Sequence, residues 1–210
     1  MNYYPAFLDL RGKKAVVVGG GRVAERKVLS LMEAGAEIIV VSPSLTKRLN
    51  RAKADSRIGH LARSYRRGDL RGSFLVIAAT DSEQINSRVA RDAPALVNVV
   101  DVPSECNFIA PSVVRRGPLT VAISTGGASP AMARTLRKEL EKTYGPEFSG
   151  YLRFARKIRV EALAGIREKA KREGFLKGLA SQEILDTLRT EGLRAVKQTI
   201  REKLQRLNGS

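Results

Sequence analysis

Six consecutive residues, Gly19-Gly20-Gly21-Arg22-Val23-Ala24, have the types and spacing to receive a diphosphate. They fit G-x-G-x-x-A. A short apolar run, Ala15-Val16-Val17-Val18, precedes them, and Ala24, Val28 and Leu31 then fall on one face of a helical pattern. The segment reads as strand, tight turn and helix, the context this dinucleotide fingerprint needs. Gly19 permits the turn, Gly21 lets the backbone approach the diphosphate, and Ala24 lets helix and strand pack closely. The helix start then turns N–H groups and the positive end of its dipole toward the anion. The bland alternative is a glycine turn in a sheet protein that binds nothing.

Other polar residues gather where strands end. Ser42-Pro43-Ser44 follows a second apolar run, Ile38-Ile39-Val40-Val41, at the point where an acid usually grips a ribose 2′-hydroxyl. Ser42 and Ser44 are able to bond a ribose, while Lys47 and Arg48 are able to meet a 2′-phosphate or only water, so spacing alone does not choose NAD over NADP. Thr80, in Ala78-Ala79-Thr80-Asp81, reads as a cofactor neighbour or a helix cap. Asp101 emerges after Val97-Asn98-Val99-Val100, where a carboxylate serves either as a base toward a bound substrate or as a turn residue. Ser124-Thr125-Gly126-Gly127-Ala128-Ser129-Pro130 combines hydroxyls, free N–H groups and a helix start, which suits a carboxylate, a phosphate or simply a capped turn. Asn107 adds a polar wall without declaring a role. His60 is expected far from these motifs, and Cys106 has no basic partner in sequence; neither reads as a nucleophile or ligand.

The elements that must position these residues follow from periodicity. Gly35 stops the first helix, and further short strands are predicted near residues 58–62, 74–79 and 97–100. Continuous apolar strands of this kind belong in a parallel sheet covered on both faces. After Asp101 the pattern changes to two strands, Ser112-Val113-Val114 and Leu119 to Ile123, joined by a turn through Gly117-Pro118. A helix from Pro130 to about Lys142 comes next. From Tyr151 the chain reads as helical, with core stripes Tyr151, Phe154, Ala155, Ile158, Ala162, Ile166 and then Leu193, Val196, Ile200, Leu204, Leu207. The fold class is α/β: a Rossmann-type parallel-sheet domain over 1–113, a small region over 114–145 and a helical domain over 146–210.

Composition narrows the partners. Apolar residues make up 43% of the chain, enough for a real core, and no run of about 18 apolar residues suggests a membrane span. The N-terminus lacks a basic start followed by an apolar stretch, so the cytoplasm is the expected location. One cysteine and one histidine leave too few soft ligands for a preformed zinc or iron site. The formal charge of +17 invites a polyanion, yet residues 151–210 hold an excess of only eight and no compact basic block stands out. Solvated helix faces and an anionic substrate or cofactor both account for that spread.

Taken together, Phe7-Leu8-Asp9-Leu10, the stretch Val17 to Lys27, Ala78 to Asp81, Asn98 to Asp101 and Ser124 to Pro130 resemble the precorrin-2 dehydrogenase/sirohydrochlorin ferrochelatase family, the N-terminal module of siroheme synthases. The matching blocks cover residues 1 to about 145; the helical tail matches in character only, and the methyltransferase module of some members is not expected here. The resemblance implies NAD as cofactor, met by Gly19, Gly21, Arg22, Val23, Ser42, Pro43, Ser44 and Thr80. It makes Asp101 the catalytic aspartate and puts Ser124, Thr125 and Asn107 beside a tetrapyrrole substrate. A homodimer formed through 114–145 is implied too, with neither nucleic acid nor membrane as partner. Some members also insert ferrous iron into sirohydrochlorin, a second activity that the resemblance admits without requiring. A competing class is an NAD-sensing or nucleic-acid-binding regulator on the same domain, which leaves the Asn98 to Asp101 and Ser124 to Pro130 blocks without a purpose.

Overall fold

The computed structural model describes residues 3–208. Five parallel strands, β1 (Lys14–Val18), β2 (Glu37–Val41), β3 (Gly59–Leu61), β4 (Leu75–Ala78) and β5 (Leu96–Val99), lie in the order β3-β2-β1-β4-β5. Helices α1 (Arg22–Glu33), α2 (Lys47–Ala54) and α3 (Glu83–Asp92) connect them.

Alternate residues of a strand point to opposite faces, and here both faces are covered. Ala15, Val17, Ile38, Val40 and Ile77 pack with Ala24, Val28 and Leu31 of α1 and Leu49 and Ala52 of α2. Val16, Val18, Val41, Val76 and Ala78 turn the other way, toward Val89 of α3. This is why the central strands are continuous apolar runs. The first helix ends as Gly35 predicts: with φ +78° there, the Gly35 N–H reaches Met32 O and the Ala36 N–H reaches Leu31 O, a Schellman closure that only a residue tolerant of left-handed backbone completes cheaply.

The chain leaves β1 toward β2 on one side and returns after β3 to β4 on the other. The direction of winding therefore reverses between β1 and β4, which opens a crevice at the carboxyl ends of those two strands.

After Ala110 the chain forms a second compact unit. Strands β6 (Ser112–Arg116) and β7 (Leu119–Ile123) pair antiparallel around Gly117, whose φ is +59°. Helix α4 (Pro130–Thr143) starts on a Ser129 cap, the Met132 N–H donating to Ser129 Oγ at 3.1 Å. Arg116 of β6 donates to the carbonyls of Tyr144 and Glu141, so the hairpin is tied to the end of α4. Four helices follow, α5 (Glu147–Gly165), α6 (Lys169–Gly178), α7 (Gln182–Thr190) and α8 (Gly192–Asn208). Tyr151, Phe154, Ile158, Ala162 and Ile166 of the first predicted stripe meet Val196, Ile200 and Leu204 of the second in one core, joined by Ile184 and Leu188 of α7. No helix among the described residues is long and apolar enough to cross a membrane.

Candidate active site at the β1–β4 crevice

The glycine turn leaves β1 at the crevice, held between the loops that follow its two neighbours. A β-carbon on Gly19, where φ is +124°, would overlap the carbonyl oxygen of Ala79 after β4. One on Gly20 would overlap the carbonyl oxygen of Ser44 after β2. The Thr46 N–H completes this join by donating to Gly20 O at 3.2 Å. Gly21 differs: a β-carbon there meets nothing within 4 Å, its backbone is extended rather than left-handed, and as the first residue of α1's cap it offers no side chain to the helix N–H groups. Two glycines thus close the turn against the protein and the third faces open space. That bare, uncapped helix start beside an open glycine fits the diphosphate of a dinucleotide.

Across the turn, Ser42 is 4% exposed and its hydroxyl donates to Ser44 O at 2.7 Å. Pro43 and Ser44 are exposed. Contrary to expectation, His60 is not remote: its Nε2 lies 2.9 Å from Ser42 O, so that nitrogen carries the proton and ties β3 to the Ser42 loop. Sequence distance concealed this because β2 and β3 are parallel neighbours, which brings residues 18 apart side by side. Glu25 of α1 also reaches this loop, its Oε2 accepting from Thr46 Oγ1 at 2.5 Å.

On the other flank, Thr80 N–H and Oγ1 both donate to Asn86 Oδ1, and Asn86 Nδ2 donates back to Thr80 O at 2.9 Å. Buried Asn86 of α3 fixes this loop, a role that its position inside a polar helical stretch did not announce. The cap of α3 is Ser82, whose Oγ accepts from Ile85 N–H, and not Thr80.

Asp101 stands one strand further, just past β5, where the Val100 N–H donates to Ala78 O at 3.0 Å. It is exposed, with φ +62°, a left-handed conformation that Asp tolerates better than most residues at a cost of about 1 kcal/mol. Among the described residues no hydrogen bond or ion pair holds its carboxylate. Half-buried Lys27 of α1 lies in its field: burial and then the neighbouring Arg26 push the Lys27 ammonium pKa down, while Asp101 pushes it back up. Lys27 falls within the glycine-turn block of the sequence, but nothing there marks it as a neighbour of residue 101.

The loop carrying Asp101 is anchored behind it. Cys106 Sγ accepts from the Val99 N–H at 3.1 Å, and Asn107 takes the Val97 N–H on Oδ1 at 2.7 Å while donating from Nδ2 to Ala95 O at 2.8 Å. Asn107 therefore substitutes for a missing strand along the outer edge of β5. Ser124 and Thr125 belong to the second unit, between β7 and α4, where their oxygens accept from the N–H groups of Gly126 and Ser129.

Residues 116–143 match the model described as sirohaem biosynthesis protein central. The siroheme synthase of Methylobacillus flagellatus is 39% identical over 207 residues, 95% of this chain and 44% of its own length. That of Nitrosococcus oceani is 44% identical over 176 residues, 80% of this chain and 37% of its own. The chain thus spans less than half the length of these curated relatives. A solved structure, SirC, precorrin-2 dehydrogenase, superposes with a TM-score of 0.81 at 28% identity, covering 95% of this chain and all of that one. The model described as putative NAD(P)-binding matches residues 6–112, just over half of the chain, and to that family the chain belongs.

Proposed function

We propose that this protein oxidises precorrin-2 to sirohydrochlorin with NAD in siroheme biosynthesis, acting as a homodimer in the cytoplasm. One observation carries the reading: an exposed, unrestrained carboxylate, Asp101, stands on the same sheet edge as a glycine turn whose open member faces the crevice. The likeness to a precorrin-2 dehydrogenase supplies the substrate.

In this reading Gly19 shapes the turn, and the backbone of Gly21, Arg22 and Val23 receives the diphosphate. Ser42, Pro43 and Ser44 wall the adenosine end, and Thr80, held by Asn86, lines the nicotinamide side. NAD, when bound, supplies a hydride acceptor. Asp101 takes the proton that the substrate loses, and its freedom from internal partners leaves its carboxylate available to the substrate. Asn107 contributes by fixing the loop that presents Asp101, while Ser124 and Thr125 border the tetrapyrrole. The region 114–145 forms the dimer contact, and Met132 and Leu136, exposed and one turn apart on α4, are the apolar residues it offers. If iron is inserted into the product, the same aspartate is the group placed to take the pyrrole protons.

The test is Asp101→Ala. The variant binds NAD as the wild type does and loses more than about a hundredfold in turnover, the range for removal of a general base; wild-type rates would remove Asp101 from the mechanism.

A further inference from the structure

We propose that the helical unit carries a ligand site of its own, a groove between α6, α7 and α8 that takes a small molecule with an apolar body and one anionic group. The inference is independent of the cofactor reading, since the groove lies wholly within the second unit and outside the 114–145 region given to the dimer contact.

The groove has a volume of about 440 Å³, within the roughly 300–1,000 Å³ usual for small-molecule sites. Its floor is the outer layer of the helical core. Phe175 of α6, Ile184 of α7 and Ile200 of α8 are buried there, with Leu179 and Leu207 half-buried beside them. Packing beneath these side chains fixes the floor, so the groove is already formed before anything enters it.

One wall is kept bare by glycine. Gly174 and Gly178, four residues apart on α6, both line the groove, and a β-carbon on either meets nothing within 4 Å. Neither has the left-handed backbone that calls for glycine. Gly174 stands inside the helix, where glycine is less favourable than alanine because it leaves more backbone freedom to be lost on folding. A larger residue at this position would therefore improve the helix and fill the groove; glycine keeps the space open instead.

The exposed part of the lining is charged. It consists of Lys203 and Arg206 of α8 against Glu183 of α7, two cations to one acid. Lys203 Nζ stands 3.6 Å from Glu183 Oε2, with the two side chains 49% and 69% exposed, a loose surface pair that leaves the ammonium open to a further anion. An apolar floor under a rim with a surplus cation is complementary to an amphiphile with a single anionic head. A neutral molecule would forgo the rim, and an extended polyanion would forgo the floor.

Fluorescence titration of the full chain with anilinonaphthalene sulfonate, an aromatic body bearing one sulfonate, tests this, with saturating NAD present to occupy the β1–β4 crevice. We expect one saturable site and at least about threefold weaker binding of the neutral phenylnaphthylamine. Gly174→Leu should weaken the sulfonate at least about tenfold while its melting temperature stays level or rises. Lys203→Ala/Arg206→Ala changes two exposed positions, so it reads out even if Gly174→Leu disturbs the fold. It should weaken the sulfonate about threefold or more and leave the neutral probe within about twofold. No fluorescence enhancement on the folded wild type, equal affinity for the charged and neutral probes, or unchanged sulfonate binding in either variant would overturn the proposal. Failure of NAD to bind would bear on the cofactor reading alone.

Discussion

Gly20 and Gly21 are adjacent and chemically identical, yet their surroundings assign them different work. A methyl group on Gly20 would collide with the backbone of Ser44, which cannot swing aside as a side-chain tip does. Gly20→Ala should therefore cost about 1–3 kcal/mol of stability, the usual range for overpacking, read as a lower urea midpoint. Gly21→Ala meets nothing and requires no left-handed backbone, so its midpoint should stay within the roughly 0.5 kcal/mol of an ordinary surface change. Its NAD affinity should nevertheless fall at least tenfold; equal NAD affinity in Gly21→Ala and wild type would argue against a diphosphate over that residue. The fingerprint itself was legible because its spacing is local. Which glycine closes the turn and which faces the ligand was not, because the answer lies in Ser44 and Ala79, residues delivered by other strands. His60 was misplaced for the same reason: its partner Ser42 is a lateral neighbour in the sheet, and nothing in the sequence between them records strand order.

At the level of elements, strands buried on both faces announce themselves as apolar runs, and β1, β2, β4 and β5 were readable on that ground. What the apolar runs do not record is strand order, and so which strands lie at the edges. β5 has a neighbour on one side only, and Asn107 supplies two of the backbone bonds that a sixth strand would make. Asn107→Ala should strip the Val97 N–H and Ala95 O of these partners and lower stability by about 1–3 kcal/mol. Turnover should fall with it, because the loop ahead of this anchor carries Asp101, whereas NAD affinity should hold; unchanged stability would show that water replaces the side chain. The link from β3 to β4 carries a second, titratable clasp. Arg63 grips both oxygens of Asp69, and these bonds hold the Asp69 carboxyl below its usual range. A carboxyl depressed by folding stabilises above its unfolded value, near ~4, and that contribution is lost as pH falls through the lower folded value. The melting-temperature gap between wild type and Asp69→Asn should accordingly be level above about pH 5 and narrow below about pH 4; a gap that widened in acid would contradict the clasp.

Over the whole molecule, the excess of positive charge has no single address in the sequence, and the two compact units share it. Composition could state that surplus but not its target, since charge acts on any polyanion. The proposed polycarboxylate substrate would give it one: the KM for precorrin-2 should then rise severalfold as salt shortens the screening length from about 10 Å at 0.1 M to about 3 Å at 1 M, with kcat little changed. A KM indifferent to salt would return the charge to the solvated helix faces. The central claim, that the β1–β4 crevice and Asp101 together dehydrogenate precorrin-2, is tested most directly by anaerobic incubation of the full chain with precorrin-2 and NAD, following NADH and the sirohydrochlorin spectrum together. The account predicts that both appear in equal amounts; a folded, NAD-binding protein that forms neither would contradict it.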